Sequence, residues 1–144
     1  MDFSSKYIKM CEKAKEIQER FRGQYDYYIY IEWEYGKGIF LWGFCCGFKN
    51  IKKIVYLPCQ DQLQEMIKNE YRDKETNIPF LHIYSCMLLD LYDLMNNNNY
   101  FYKFGDSMEQ LWLAFVMYKK YRKVWNDKKE EWINENKNKK EANK

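Results

Sequence analysis

The chain contains a single histidine, His82, which narrows its chemistry at once. General acid–base catalysis by imidazole and multi-histidine metal sites both need a close partner for that ring. Were residues 80–95 helical, His82, Cys86, Asp90 and Asp93 would fall along one stripe at i, i+4, i+8 and i+11. An i, i+4 pair can converge on a Zn²⁺ ion, but four ligands spread over roughly 16 Å of helix cannot surround one ion unaided. The stripe is therefore expected to be the polar face of an amphipathic helix, with no metal site and no cofactor.

Cys59 follows Pro58 where a helix is expected to begin, and the positive end of a helix dipole lowers a thiol pKa. A Cys–His nucleophile would need His82 as its base, and nothing in the spacing brings the two together, so a packed thiol is expected. The carboxylate pairs Asp61/Glu65 and Asp90/Asp93 stand at helical spacing and read as solvated faces, because hydrolytic pairs need a set separation across a cleft. Gly36-Lys37-Gly38 is read as a hairpin turn and matches neither GxGxxG nor a P-loop. The expectation is a protein that is not an enzyme.

Two features suit binding. Tyr28 and Tyr30 alternate on one strand face, near Trp42, where they could stack a base or nucleotide ring. Glu32 and Glu34 would share that face and repel phosphate, so ordinary packing under a helix is the favoured reading. Lys119, Lys120, Arg122 and Lys123 cluster at the end of the last expected helix, where cations complement the dipole.

Periodicity supplies the elements that would position these groups. Ser4 or Ser5 can cap a first helix whose Tyr7, Met10, Cys11, Ala14, Ile17 and Phe21 recur at helical spacing, with Glu16 and Arg20 paired on the outer face and Gly23 as the stop. Residues 27–33 change to a period of two, with Tyr27, Ile29, Ile31 and Trp33 on one face. After the turn at 35–38, residues 39–44 are apolar on both faces, which predicts a strand covered on both sides. Residues 54–57 add a third strand, ended by Pro58, and residues 60–67 a short helix with its acid early.

Asn77 and Pro79 precede a helix over 80–95 with Phe80, Tyr84, Met87, Leu88, Leu91 and Met95 facing the core. Asn96 to Asn99 read as a loop and residues 100–104 as one more strand. Ser107 with Gln110 forms a capping-box pattern before a helix that is apolar nearly all round until its basic end. The expected fold is α+β: a small antiparallel sheet, a hairpin plus one or two strands, packed with three to four helices. One domain covers residues 1–133, and residues 134–144 form a disordered lysine- and asparagine-rich tail.

At 144 residues, 47% hydrophobic and 19% aromatic, the chain can bury a core rich in Tyr, Phe and Trp. Its net charge of +3 is small for a nucleic-acid binder, and the four lysines and two glutamates of the tail supply two of those charges. Five cysteines, odd in number and without CxxC spacing, fit a reducing compartment. The start of the chain lacks an apolar signal core, and no apolar run is long enough to span a bilayer, so a cytoplasmic protein without membrane association is expected. The fully apolar helix and two-faced strand need covering layers, either from the domain itself or from a second copy in a homodimer.

The segments Leu57-Pro58-Cys59-Gln60-Asp61-Gln62-Leu63-Gln64-Glu65-Met66 and Ser107-Met108-Glu109-Gln110-Leu111-Trp112-Leu113-Ala114-Phe115-Val116-Met117, the latter running on to Asn126, resemble a family of small proteins of phages and prophages of Gram-positive bacteria. The quoted residues cover about a fifth of the chain. The family commonly has a basic residue where this chain has Cys59. The resemblance carries no assigned activity, but it implies a context of phage accessory proteins that bind and block host factors.

On that basis the expected function is a non-enzymatic counter-defence protein that inhibits or sequesters a bacterial immune component, either a CRISPR effector or a small nucleotide signal. The alternative is a nucleic-acid-associated phage replication or regulatory protein. The candidate binding residues are Tyr28, Tyr30, Gln60, Asp61, Gln62, Glu65, Glu109, Gln110 and Arg122.

Overall fold

The computed structural model describes residues 1–22, 28–41, 49–68, 70–71, 80–97, 101–104 and 107–135. Within these, helices α1 (Ser5–Lys13) and α2 (Lys15–Phe21) lead into strands β1 (Tyr28–Trp33), β2 (Gly36–Leu41) and β3 (Ile51–Leu57). Helices α3 (Gln60–Lys68) and α4 (Phe80–Asn97), a 3₁₀ turn at Phe101–Phe104, helix α5 (Met108–Tyr121) and a hairpin of β4 (Lys123–Asn126) and β5 (Glu131–Asn134) follow. This is a single α+β domain with one three-stranded antiparallel sheet, order β2-β1-β3, and a separate two-stranded one. Expectations resting on Gly23, Tyr27, Trp42 and its neighbours through 44, Cys45, Cys46, Asn77, Pro79, Asn98 to Tyr100, Gly105, Asp106 and the tail beyond 135 lie outside the described residues.

The first helix is two helices. Ser4 caps α1, its Oγ accepting from the N–H of Tyr7, and Tyr7, Met10, Cys11, Ala14, Ile17 and Phe21 are all buried as their spacing requires. The break falls at Ala14, which leaves helical geometry at φ −85°, ψ 76°. Donors from elsewhere in the fold reach the carbonyls at this break. The Gln18 side chain donates to Cys11 O at 3.0 Å, and the Trp132 indole of β5 donates to Met10 O at 2.9 Å. Satisfying those carbonyls from outside the helix makes the interruption tolerable.

Gln18 also closes a sheet edge. Its amide accepts from Tyr56 N–H at 2.9 Å and donates to Tyr56 O at 3.0 Å, as a neighbouring strand would. The outer side of β3 is thus partly paired by one side chain. Tyr7, fully buried, donates through its hydroxyl to the carbonyl of Pro58, tying α1 to the corner where β3 ends and α3 begins.

Four expectations are corrected. The β1–β2 turn is at Glu34-Tyr35, because Trp33 pairs with Gly36 and the glycines belong to β2. Gly38 has a reason to lack a side chain, since a Cβ there would meet the Phe40 ring at 3.0 Å. Strand β2 is an edge strand with no buried residue among 36–41, so it is not covered on both faces as far as it is described. Residues 101–104 are a 3₁₀ turn where a strand was expected: Phe101 and Phe104 stand three apart and are both fully buried, a spacing that a 3₁₀ turn aligns and a strand would split between faces. Residues 123–134 form the β4–β5 hairpin, its Trp125 and Trp132 rings packed edge to face at 5.2 Å, where only the end of a helix was expected.

Helix α5 is enclosed through its first half, with every residue from Gln110 to Met117 buried. Ser107 caps it, accepting from Gln110 N–H at 3.2 Å. The reciprocal arm of the box is diverted, because the Gln110 side chain donates to Asp2 at 2.7 Å and Ser4 at 3.2 Å. Helix α4 runs on through Asn96 and Asn97 and buries Ile83, Met87 and Leu91. Leu88, expected to face the core, is 52% exposed.

Candidate functional site

The two faces of β1 have different fates. Ile29 and Ile31 are fully buried on one side. Tyr28, Tyr30 and Glu32 lie on the other, and Tyr30 packs half-buried against the main core. Antiparallel pairing sets Tyr30 beside Ile39 and Val55, and Glu32 beside Lys37 and Lys53. Over this face lies the N-terminal part of α1. Between helix and sheet runs a groove of about 450 Å³, lined by Phe3, Ile8, Lys9 and Glu12 on one wall and Tyr30, Lys37, Ile39 and Lys53 on the other.

Aromatic and cationic groups meet in the groove. Lys53 Nζ sits 6.0 Å from the Tyr30 ring centroid and 2.6 Å from Glu12. Lys9 pairs with Glu130 at 2.8 Å, while Lys37 is exposed and has no ion pair among the described residues. Tyr28, at the rim, packs edge to face on Phe3 with ring centroids 5.3 Å apart. Glu32 was expected to repel phosphate here, but its register places it between two lysines, and Glu34 is in the turn, accepting from Asn50 at 2.6 Å. The volume is that of a small-molecule cleft, with apolar walls and a few polar groups.

The remaining candidates do not join this groove. Gln62 accepts from Cys59 N–H at 2.9 Å and so caps α3. Glu65 pairs with Lys68 at 2.8 Å on the same helix. Glu109 meets the amino group of Met1 at 3.1 Å, and Gln110 is committed to Asp2 and Ser4. Arg122 is the left-handed C-cap of α5 at φ 54°, its N–H donating to Tyr118 O and its carbonyl accepting from Glu135 N–H. Gln60 and Asp61 open α3 and line no part of the groove. These positions mostly serve structure.

The chemical candidates come apart in the same way. Burial first, and then the hydrogen bond and charge of Asp61, push the Cys59 thiol up to about 11, opposite to what a nucleophile needs. His82 instead stands 3.6 Å from Cys86, one turn away on α4. Asp90 is taken by two partners, Lys119 and Tyr71, each at 2.6 Å. Its partial burial would raise its pKa, but those two bonds hold the carboxyl below the ordinary range. Among the described residues, no three His, Cys, Asp or Glu side chains gather as a metal site.

The basic end of α5 is also engaged. Lys119 pairs with Asp90 at 2.6 Å, Lys120 with Glu70 at 3.6 Å, and Lys123 with Glu16. Lys119 and Lys120 tie α5, and Lys123 ties the start of β4, to other parts of the domain. Among the described residues no helix is long and apolar enough to cross a membrane. No protein-family model matches the chain, and neither a curated protein nor a solved structure matches it.

Of the sequence candidates, Tyr30 lines the groove and Tyr28 packs at its rim, whereas Phe3, Lys37 and Lys53 were not among them. The signal for the lysines was present: Lys37 follows Glu32 across a tight hairpin, and Lys53 lies in the third strand.

Proposed function

We propose that this chain is a non-enzymatic binding protein of phage origin that acts against bacterial immunity by sequestering a small nucleotide signal. One observation supports the choice of ligand: the groove between α1 and the sheet combines the Tyr30 ring with Lys37 and Lys53 in about 450 Å³. A ring face suits a base and an ammonium suits a phosphate. A CRISPR effector would need a much broader surface than this groove offers. The phage and counter-defence context comes from the two resembling segments around Cys59 and Trp112.

The nucleic-acid reading is the weaker one, because the lysines it would use, Lys119 and Lys120 at the end of α5 and Lys123 at the start of β4, are already paired with Asp90, Glu70 and Glu16. The deciding experiment is capture of tagged protein from a lysate of a defence-competent host, with mass spectrometry of retained small molecules and proteins. Calorimetry against mono-, cyclic di- and cyclic oligonucleotides follows. The expected result is a retained nucleotide whose affinity falls at least tenfold in Lys37→Gln, a substitution at an exposed position. A stoichiometric protein partner with no nucleotide, or nucleotide binding indifferent to Lys37→Gln and Tyr30→Leu, would refute the ligand assignment.

A further inference from the structure

The outer face of α4 is apolar where solvent should be. Leu81 is 79% exposed, Leu88 52%, Leu89 61% and Tyr92 62%. At about 100° per residue these four positions fall within one arc of roughly 100°, opposite the buried Ile83, Met87 and Leu91. Ser85 lies in the middle of the arc and bonds its own helix, donating to Leu81 O at 2.8 Å. The centre of the stripe is therefore small and needs no polar partner, which favours close approach by another helix. A stripe of this kind, on the order of 500 Å², is as large as the largest apolar patch of a typical monomer, and such patches are often functional.

We propose that this face docks on α4 of a second copy of the chain, antiparallel, about a two-fold axis beside Leu88. The spacing and the charges select that occupant. Leu81 and Tyr92 are eleven residues apart, and so are His82 and Asp93, which lie together on one flank of the stripe. A two-fold axis across antiparallel helices brings the same flank of each copy together with its direction reversed. In nearly one register, each Leu81 then meets Tyr92 of the other copy, and each His82 meets Asp93.

A parallel pairing about an axis along the helices would carry the two flanks to opposite sides of the seam and leave every His82 and Asp93 without its partner. Neither His82 nor Asp93 has an ion-pair partner among the described residues. An imidazole beside a carboxylate donates a hydrogen bond when neutral and forms an ion pair when protonated. Two stripes bury on the order of 1,000 Å², at the low end for specific association, so the dimer belongs in the micromolar range.

The test is sedimentation equilibrium of the full chain from about 1 to 200 μM. Wild type should approach twice the 17.9 kDa chain mass at the upper concentrations. Leu88→Asp with Leu89→Asp should stay monomeric throughout with an unchanged circular dichroism spectrum, and Leu81→Glu, at the most exposed position, serves if that double variant does not fold. His82→Asp should weaken the dimer at least fivefold by facing acid with acid, and adding Asp93→His should restore it. A wild type that remains monomeric, a dimer indifferent to the leucine changes, or a charge exchange that fails to restore affinity would each overturn the proposal.

Discussion

Helices α4 and α5 look alike as sequences, both dense in Leu, Met and aromatic residues, yet they end in opposite surroundings. Helix α5 is buried all round from Gln110 to Met117, enclosed by α1, α3, the 3₁₀ turn and β4. Helix α4 packs on α3 and the 3₁₀ turn and leaves four large apolar side chains exposed. Apolar composition states that a surface needs cover, while the number of neighbouring elements decides whether the domain provides it. The lysines sharpen the contrast, since Lys119 and Lys120 at the end of α5 reach Asp90 and Glu70, and Lys123 at the start of β4 reaches Glu16.

The largest test of this contrast is truncation at matched positions. Trp112→Ala in α5 should cost about 3–5 kcal/mol in urea unfolding, whereas Leu89→Ala in α4 should change stability by no more than about 0.5 kcal/mol. The Trp112 indole N–H is buried without a hydrogen-bond partner among the described residues, so Trp112→Phe should lose less than half of the alanine effect. Equal losses at Trp112 and Leu89 would mean that α4 is covered within the monomer.

A smaller effect is expected at Gln18, whose amide serves the α1 break and the β3 edge together. Gln18→Leu keeps the bulk but removes the two bonds to the Tyr56 backbone and one of the donors to Cys11 O, which keeps Ala14 N–H, and should cost about 1–3 kcal/mol, read by denaturation and by faster amide exchange at Tyr56. Ser107→Ala removes the cap of α5 and should cost about 1 kcal/mol. An unchanged unfolding midpoint in Ser107→Ala would show that enclosure alone holds the helix.

The smallest expected effect concerns acid. Asp90 and Glu16, which hold Lys119 and Lys123, and Asp127, which holds Lys103, all keep their carboxyls below the ordinary range. In each, burial is the largest single influence and opposes ionisation, but the hydrogen bonds and the nearby lysine charges together outweigh it. A carboxylate depressed on folding contributes stability that is present above its unfolded pKa, near pH 4, and lost as pH falls through the lower folded value. Stability should therefore be level near neutrality and decline below about pH 4.5. Asp90→Asn should flatten that decline, measured as urea midpoint against pH.

Much of the architecture was legible because it rests on local rules. The buried set of α1 and α2, the Ile29/Ile31 face of β1, the end of β3 at Pro58 and the Ser107 cap all follow from periodicity and one-residue signals. The misread elements have non-local causes. The break at Ala14 receives a donor from Trp132, which is more than a hundred residues away, and the 3₁₀ turn at Phe101–Phe104 places both rings in one core.

The candidate groove divides in the same manner. A period of two assigned Tyr28 and Tyr30 to one face, but only pairing with β2 and β3 put Lys37 and Lys53 beside Glu32 and turned an apparently acidic face into a balanced one.

By itself, the sequence determined which residues must leave water, where the main helices and strands lie, and that an α+β domain could be built from them. Tertiary structure alone decided that Gln62 and Gln110 serve caps and ties, that Asp90 is taken by Lys119 and Tyr71, and that α4 keeps an uncovered face. Periodicity reports the environment a side chain requires, and a hydrogen bond or a covering layer exists only once distant segments share the same space.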